Sequence, residues 1–383
     1  MGAAYKGNQA GDDRVVAVAM SGGVDSSVAA CLLKEQGFRV IGLTMRLFCY
    51  ERDDPSAKSC CNLKAIADAR EVCAGLGAPH YVIDCEGIFQ KEVIERFVES
   101  YLSGRTPNPC VDCNSRVKFS FLLRKAQSLG AQFLATGHYV RLIPPGDSPE
   151  GSPKLARALD KGKDQSYFLW GISREHLSRF IFPLGEYRKK EVRHLAEKFG
   201  LLVSGKRESQ EVCFVDSGGL EEFIRGYKKS GSPEDSPHPN LEPGPLVDKG
   251  GRRLGMHRGS AFYTIGQRRG LGLALGKPAY VTAIDPVTNT VVVGNDGDLM
   301  ADRIEASNVN YLVSPPEEPF RAEIKVRYKN KPVGAWVFPE PEEQRITVKM
   351  DKPQRAVTPG QSVVFYAHDI LLGGGKIESA GSG

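Results

Sequence analysis

Residues 15–37, VVAVAMSGGVDSSVAACLLKEQG, constrain the fold more than any other stretch of the chain. An apolar run leads into two glycines, and an amphipathic segment follows without a break. That is a strand, a tight turn and a helix, and a strand this uniformly apolar needs cover on both faces and neighbours of its own kind. The sequence supplies them. The runs RVIGLTMRLF, HYVIDC and AQFLATG alternate with SSVAACLLKEQG, LKAIADAREVCAGLG, IFQKEVIERFVESYLSG and SRVKFSFLLRKAQSLG, where apolar residues recur at helical spacing, as at Phe89, Val93, Phe97 and Tyr101. Over residues 14–205 this alternation predicts an α/β fold with a doubly wound parallel sheet.

The texture then changes. Residues 228–259 are dense in Gly, Pro and Ser and read as a linker or mobile loop with little core of its own. Beyond residue 280 the runs AYVTAID, TVVVGN, FRAEIKVRY, AWVFP, RITVKM and SVVFYA are each bounded by Pro, Gly, Asn or Asp, the pattern of a small β-barrel. The expected division is therefore a catalytic domain at 14–205, a small central domain at 206–280 and a C-terminal β-barrel at 281–379. The polar start MGAAYKGNQAGDDR and the lack of a long apolar run give the expectation of a cytoplasmic protein without a membrane span. A net charge of +5 permits a nucleic-acid partner without requiring one.

The glycine turn SGGVDSS points its backbone N–H groups inward at the start of a helix, where an anion is favoured. Ser21 and Ser26 add hydroxyl donors. Asp25 would oppose a bare phosphate but suits a magnesium ion riding on one. The string fits neither the GxxxxGK[ST] loop nor the dinucleotide GxGxxG. The bland reading of SGG alone is a turn capping an ordinary helix.

Nine cysteines all lie between Cys31 and Cys213, which suits reduced thiols better than a disulfide framework. Two of them sit in TPNPCVDCNSRVKF, residues 106–119. Its prolines are expected to keep Cys110 and Cys113 out of regular structure, just before a helix starting near Asn114 or Ser115. There the helix dipole, Arg116 and Lys118 would favour a Cys113 thiolate. A dithiol redox pair, or half of a zinc site completed by Cys60, Cys61 or Cys213, also stays open. Cys213, between Val212 and Phe214, reads on its own as buried packing. Cys31 and Cys73 read as core, and Cys49 and Cys85 as strand ends.

Taken together, SGGVDSS, GRTPNPCVDCNSRVKF, ATGHYVR, KDQSYFL, SQEVCFV, IGQRRGLG and TPGQSVVFY occur in one order over roughly residues 14–378. In that combination the chain resembles the tRNA-specific 2-thiouridylases, whose nucleotide loop is that of the ATP pyrophosphatases. The resemblance implies an adenine nucleotide α-hydrolase-like sheet domain, tRNA contacts in the central domain and the barrel, and ATP and Mg2+ as cofactors. The implied reaction is adenylation of the C2 oxygen of the wobble uridine, then sulfur transfer from a cysteine persulfide. Cys213 would carry the persulfide and Cys113 would release the sulfur, leaving a Cys113–Cys213 disulfide. ATP would meet Ala19, Met20, Ser21, Gly22, Gly23, Val24, Asp25, Ser26, Met45 and Gly137, with the metal on Asp25. tRNA would meet Asn108, Pro109, Cys110, His138, Lys163, Asp164, Gln165, Arg327, Tyr328 and Gln361, its target base flipped out to reach the thiols. If Arg327 touches phosphate, Arg327→Ala should flatten the salt dependence of tRNA binding.

The family carries Asp where this chain has Cys110, and with three thiols an iron-sulfur cluster on Cys110, Cys113 and Cys213 is a second route. A sulfur donor, either a cysteine desulfurase or a relay protein, is implied as partner, and the chain is expected to be a monomer. Two other readings are set against this one. A different pyrophosphatase-loop synthetase, such as a GMP synthetase, would need an ammonia source, commonly a glutaminase domain. An RNA-binding module with a degenerate loop would not keep SGGVDSS intact.

Overall fold

The computed structural model describes residues 14–47, 63–145, 151–202, 212–215, 218–231 and 238–382. The readings of Cys49, Cys60 and Cys61, and the expected boundary at 205, lie outside these residues. The chain divides into two compact units, the first taking Met1–Glu92, Cys110–Phe214 and Asp369–Leu372, the second Val93–Pro109, Val215–His368 and Gly373–Gly383.

The first unit is built on β1 (Val15–Ala19), β2 (Arg39–Arg46), β3 (His80–Asp84), β4 (Phe133–Thr136) and, after a hairpin, β7 (Phe180–Ile181). They form one parallel sheet in the order β3-β2-β1-β4-β7. The doubly wound sheet expected from the alternation is present. Successive connections leave β1 in opposite directions, so the carboxyl ends of β1 and β4 flank the switch point where such sheets bind ligands. The hairpin is β5 (Val140–Ile143) against β6 (Lys154–Arg157).

Helices α1 (Val24–Glu35) and α2 (Leu63–Gly75) follow β1 and β2. On one side Val16, Val18, Leu33, Val40, Ala69 and Cys73 form an apolar core. A second cluster holds Val24, Val28, Tyr139, Leu184, Val192 and Ala196, and so joins α1 to α5 (Lys189–Lys198). Two longer helical runs, α3 (86–102) and α4 (109–128), each widen into π-helix, over Gln90–Glu95 and Cys113–Leu122.

In the second unit α6 (Gly219–Gly231) comes before a four-stranded sheet of β8 (Gly244–Asp248), β9 (Arg253–His257), β10 (Tyr280–Asp285) and β11 (Thr290–Gly294), ordered β10-β11-β8-β9. Residues 244–257 therefore fold as a hairpin, not as a linker. Leu246 is fully buried there, and the turn glycines that suggested a loop serve to join β8 to β9. AYVTAID and TVVVGN also belong to this sheet. The remaining strands, β12 (Met300–Tyr311), β13 (Phe320–Lys325), β14 (Val333–Glu340), β15 (Arg345–Arg355), β16 (Ser362–Ala367) and β17 (Ile370–Gly381), run in the order β12-β15-β14-β13-β16-β17. Since β17 also pairs with β12, they close a six-stranded barrel, as expected, with Ile304, Ile324, Val337 and Val348 buried. Closure leaves no strand edge open.

Candidate active site

The turn that follows β1 has the geometry of an anion site. Gly22 takes φ +65, and a β-carbon on it would collide with the carbonyl of Ala65 in α2. Gly23 is the N-cap of α1, and no side chain caps that end. Ser21 N–H donates to Ser26 Oγ at 3.1 Å, and Ser26 and Ser27 hydroxyls both donate to the Gly23 carbonyl. The turn is thus internally braced, with helix-start amides left for a ligand. Met20 is buried, and Met45 lies half-buried near the end of β2. Gly137, just past β4, packs so closely on the turn that an added β-carbon would stand 2.8 Å from both Asp25 C and Ser26 N.

Asp25 is not a bare carboxylate. Its Oδ1 accepts the Tyr139 hydroxyl at 2.8 Å and the Lys189 ammonium at 2.7 Å, and its Oδ2 accepts the same ammonium at 2.8 Å. A single carboxylate beside hydroxyls and a phosphate suits magnesium, which is held by few protein oxygens and keeps several waters. By donor chemistry the residues fit, although the carboxylate is shared with a cation. Sequence reading missed both Lys189 and Tyr139. A signal for the first existed: a lysine at the first position of a helix sits at the wrong end of the dipole and needs another reason to be there.

His138 also follows β4. Its Nδ1 lies 2.7 Å from Thr136 Oγ1 and its ring 5.6 Å from that of Phe119. Burial, with the nearby Lys118 charge, pushes its pKa well below the ordinary histidine value, and burial lowers those of His80 and His257 as well. Unfolded, these rings bind protons that the native rings refuse, so in the window below the ordinary histidine pKa stability falls as pH falls. Melting temperature should be lower at about pH 5.5 than at about pH 7.5, and His138→Asn should narrow the gap; an equal gap in the variant would count against the assignment.

The KDQ loop is mostly structural. Asp164 is buried, accepting the Ala158 and Ser166 N–H groups and the Ser166 hydroxyl. Gln165 exchanges hydrogen bonds with the Tyr139 backbone, and Lys163 is half-buried with its N–H on the Asp160 carbonyl.

Cys113 is buried at 8% exposure, Cys110 is exposed and Cys213 is intermediate. The helix that carries the first two begins at Pro109, not at Asn114 or Ser115. Proline suits the first helical position, because the missing N–H has no partner there anyway and its φ is already helical. Cys113 therefore opens the π-wound stretch inside α4. Asn114 is buried beside it and donates to the Phe168 carbonyl at 3.1 Å. Arg116 pairs with Glu92 at 3.1 Å, which spends part of the charge expected to act on the thiol. Phe214, next to Cys213, meets Phe89 of α3 edge-on at 5.8 Å. Among the described residues no three His, Cys, Asp or Glu side chains gather as metal ligands, so Cys110, Cys113 and Cys213 are not assembled for a cluster. Cys31 and Cys73 are core, as expected, and burial raises both to about 11. Iodoacetamide at about pH 8 should alkylate Cys110 in the native protein and spare Cys31 and Cys73, as read by peptide mass spectrometry; equal labelling would refute these environments.

In the second unit two of the sequence motifs, those of the TPNP turn and TPGQSVVFY, meet. Gln361 Nε2 donates to the carbonyls of Thr106, at 2.9 Å, and Pro107, at 3.1 Å. Thr106 N–H donates to Pro359 O at 2.9 Å, and its hydroxyl to Thr264 at 3.2 Å. Gly360, at φ +90, lies against the Thr106 backbone, where a β-carbon would come within 2.9 Å. Asn108 is half-buried in this turn and Pro109 is buried. Arg327 lies beyond β13 and ties the loop before β16, donating to Ala356 O at 2.6 Å and Thr358 Oγ1 at 2.9 Å. Tyr328 is half-buried, under the Lys325 ammonium. Gln361 and Arg327, expected at tRNA, thus hold backbone in this structure.

Residues 14–217 match the family described as the tRNA methyl transferase HUP domain, residues 237–295 the tRNA methyl transferase PRC-barrel domain, and residues 301–377 the aminomethyltransferase beta-barrel domain. The chain is 47% identical over 364 residues to a tRNA-specific 2-thiouridylase MnmA of Moorella thermoacetica, covering 94% of this chain and 99% of that one. A protein of the same name from Carboxydothermus hydrogenoformans is 46% identical over 371 residues, covering 95% and 97%. One from Heliobacterium modesticaldum is 45% identical over 363 residues, covering 94% and 92%.

Proposed function

Because this chain belongs to the tRNA-specific 2-thiouridylase family, MnmA, we propose that it makes 2-thiouridine at the wobble position by adenylating the base and then delivering a persulfide sulfur. It is a tRNA sulfurtransferase. The observation that carries the adenylation half is the uncapped start of α1 behind a braced SGG turn at the sheet's switch point. A uridine C2 carbonyl has no leaving group of its own, so activation must come first. The C2 oxygen attacks the α-phosphorus of ATP, the bond to the β-phosphate breaks, and pyrophosphate leaves. Helix-start amides and the Ser21 and Ser26 hydroxyls take the developing phosphate charge. Asp25 would hold magnesium, which when bound neutralises phosphate oxygens.

The terminal sulfur of a Cys213 persulfide then attacks C2, and AMP departs with the former carbonyl oxygen. The Cys113 thiolate attacks Cys213 Sγ, breaking the sulfur–sulfur bond. That leaves thiocarbonyl on the base and a Cys113–Cys213 disulfide, which an external thiol reduces. Cys110 would lie beside the base in place of the family's Asp. His138 stays neutral and can serve the site by hydrogen bonding rather than charge. Lys163, Asp164, Gln165, Asn108, Pro109, Arg327, Tyr328 and Gln361 are the candidates for tRNA contact. The sulfur donor is a cysteine desulfurase or a relay protein, and the enzyme acts as a cytoplasmic monomer. Among the described residues no helix is long and apolar enough to cross a membrane.

The test is anaerobic incubation of the protein with ATP, magnesium, a desulfurase with cysteine, and unmodified tRNA transcript, followed by mass spectrometry of the digested nucleosides. 2-Thiouridine formed only with ATP is expected. Pyrophosphate without 2-thiouridine would leave adenylation standing and refute the sulfur route; neither product would refute both halves.

A further inference from the structure

The anion-binding turn has no cation of its own. From Ala19 to Ser27 the one charged side chain is Asp25, which is negative. The loops that bind phosphates with a GxxxxGK[ST] string carry a lysine for this purpose within the string. Here a lysine arrives from elsewhere. Lys189 is 164 residues away in sequence, 8% exposed, and both Asp25 oxygens lie within 2.8 Å of its ammonium.

The base of this side chain is fixed. Lys189 N–H donates to Asp160 Oδ2 at 3.0 Å, and the preceding Arg188 N–H donates to Glu191 Oε2 at 2.6 Å. The Tyr139 ring stands 5.6 Å from the ammonium while the Tyr139 hydroxyl shares its carboxylate. The bland account is an ion pair that docks α5 on α1. Docking does not need it, because Val24, Val28, Val192 and Ala196 already pack those helices together. The ammonium is buried but the Asp25 side chain is 31% exposed, and a pair so open to solvent adds little to stability. The ammonium nevertheless loses most of its water to stand at the phosphate turn.

We propose that Lys189 is the phosphate-binding cation of the ATP site, resting on Asp25 when no nucleotide is bound and shared with the triphosphate when ATP enters. This rests on the ATP-dependent reading above. The carboxylate keeps the ammonium placed and desolvated, and it is released to a metal as the phosphates take the ammonium over.

Binding of ATP and of adenosine to the full chain, each with magnesium, can be measured by calorimetry for wild type, Lys189→Met and Lys189→Arg. Lys189→Met should weaken ATP by about 10- to 100-fold and leave adenosine within about twofold, with Lys189→Arg recovering most of the loss. Parallel loss of both ligands, or an unchanged ATP affinity, would overturn the assignment. If Lys189→Met does not fold, Lys189→Gln, which can still donate to Asp25 without a charge, is read by the same ratio. A wild-type protein that binds no ATP would instead sink the ATP reading itself.

Discussion

Cys213→Ala should form no detectable 2-thiouridine while still binding tRNA and releasing pyrophosphate. Removing an attacking nucleophile takes away a covalent route rather than a contact, so the loss should be at least about a thousandfold. The substitution is mild for the fold. Cys213 is only partly buried, and its neighbour Phe214, 4% exposed against Phe89, keeps the segment anchored without the sulfur. Cys113→Ser, nearly isosteric in a buried position, should not turn over without an added thiol and should instead trap tRNA on Cys213 through a disulfide to C2, an adduct that mass spectrometry can weigh and that a reductant releases. Normal turnover in Cys213→Ala would remove the persulfide role, and a Cys113→Ser enzyme that turns over repeatedly without an added thiol would remove the releasing role.

The second large effect is expected at Gly137. The added methyl of Gly137→Ala would sit 2.8 Å from Asp25 C and Ser26 N, which are backbone atoms of the phosphate turn and cannot swing aside. Ordinary carbon contacts lie near 3.5–4.0 Å, so the turn must shift by about half an ångström or more. A site that works through placed amides tolerates this badly, because donors must stay within hydrogen-bond reach of the phosphate oxygens. ATP affinity should fall by at least about tenfold, and thiolation with it, while thermal unfolding remains a single cooperative transition. Wild-type ATP affinity would mean that the turn has slack the packing does not suggest.

Residue types with local consequences were legible in the sequence. The two glycines of SGG announced a tight turn, the strand–helix alternation announced the parallel sheet, and the short bounded runs announced the barrel. What misled was local chemistry that served two purposes. Pro109 reads as a helix breaker in a string but is a helix starter in the fold. Gly250 and Gly251 read as linker but turn a hairpin. Asp164 and Gln361 also have partners within the chain that the string does not show, Asp164 on the Ala158 and Ser166 N–H groups and Gln361 on the Thr106 and Pro107 carbonyls. Lys189 left only an indirect mark in the sequence, a cation at a helix start, because its meaning lies in Asp25, far away in sequence and adjacent only after β4 and α5 are in place.

The tie between Gln361 and the Thr106 carbonyl joins residues 255 positions apart. During synthesis, at roughly 5–20 residues per second, that interval lasts about 13–50 s. For all of it the turn leading to Cys110 and Cys113 exists without the side chain that pins its carbonyls, and in the later part of it the nucleotide turn and its whole sheet, which ends at β7, have already left the ribosome. A chain arrested after α5 has emerged but before residue 361 would therefore own a complete ATP-binding sheet and an unlatched TPNP turn. Nascent chains released at different lengths should acquire protease resistance at residues 15–46 long before they acquire it at residues 105–109.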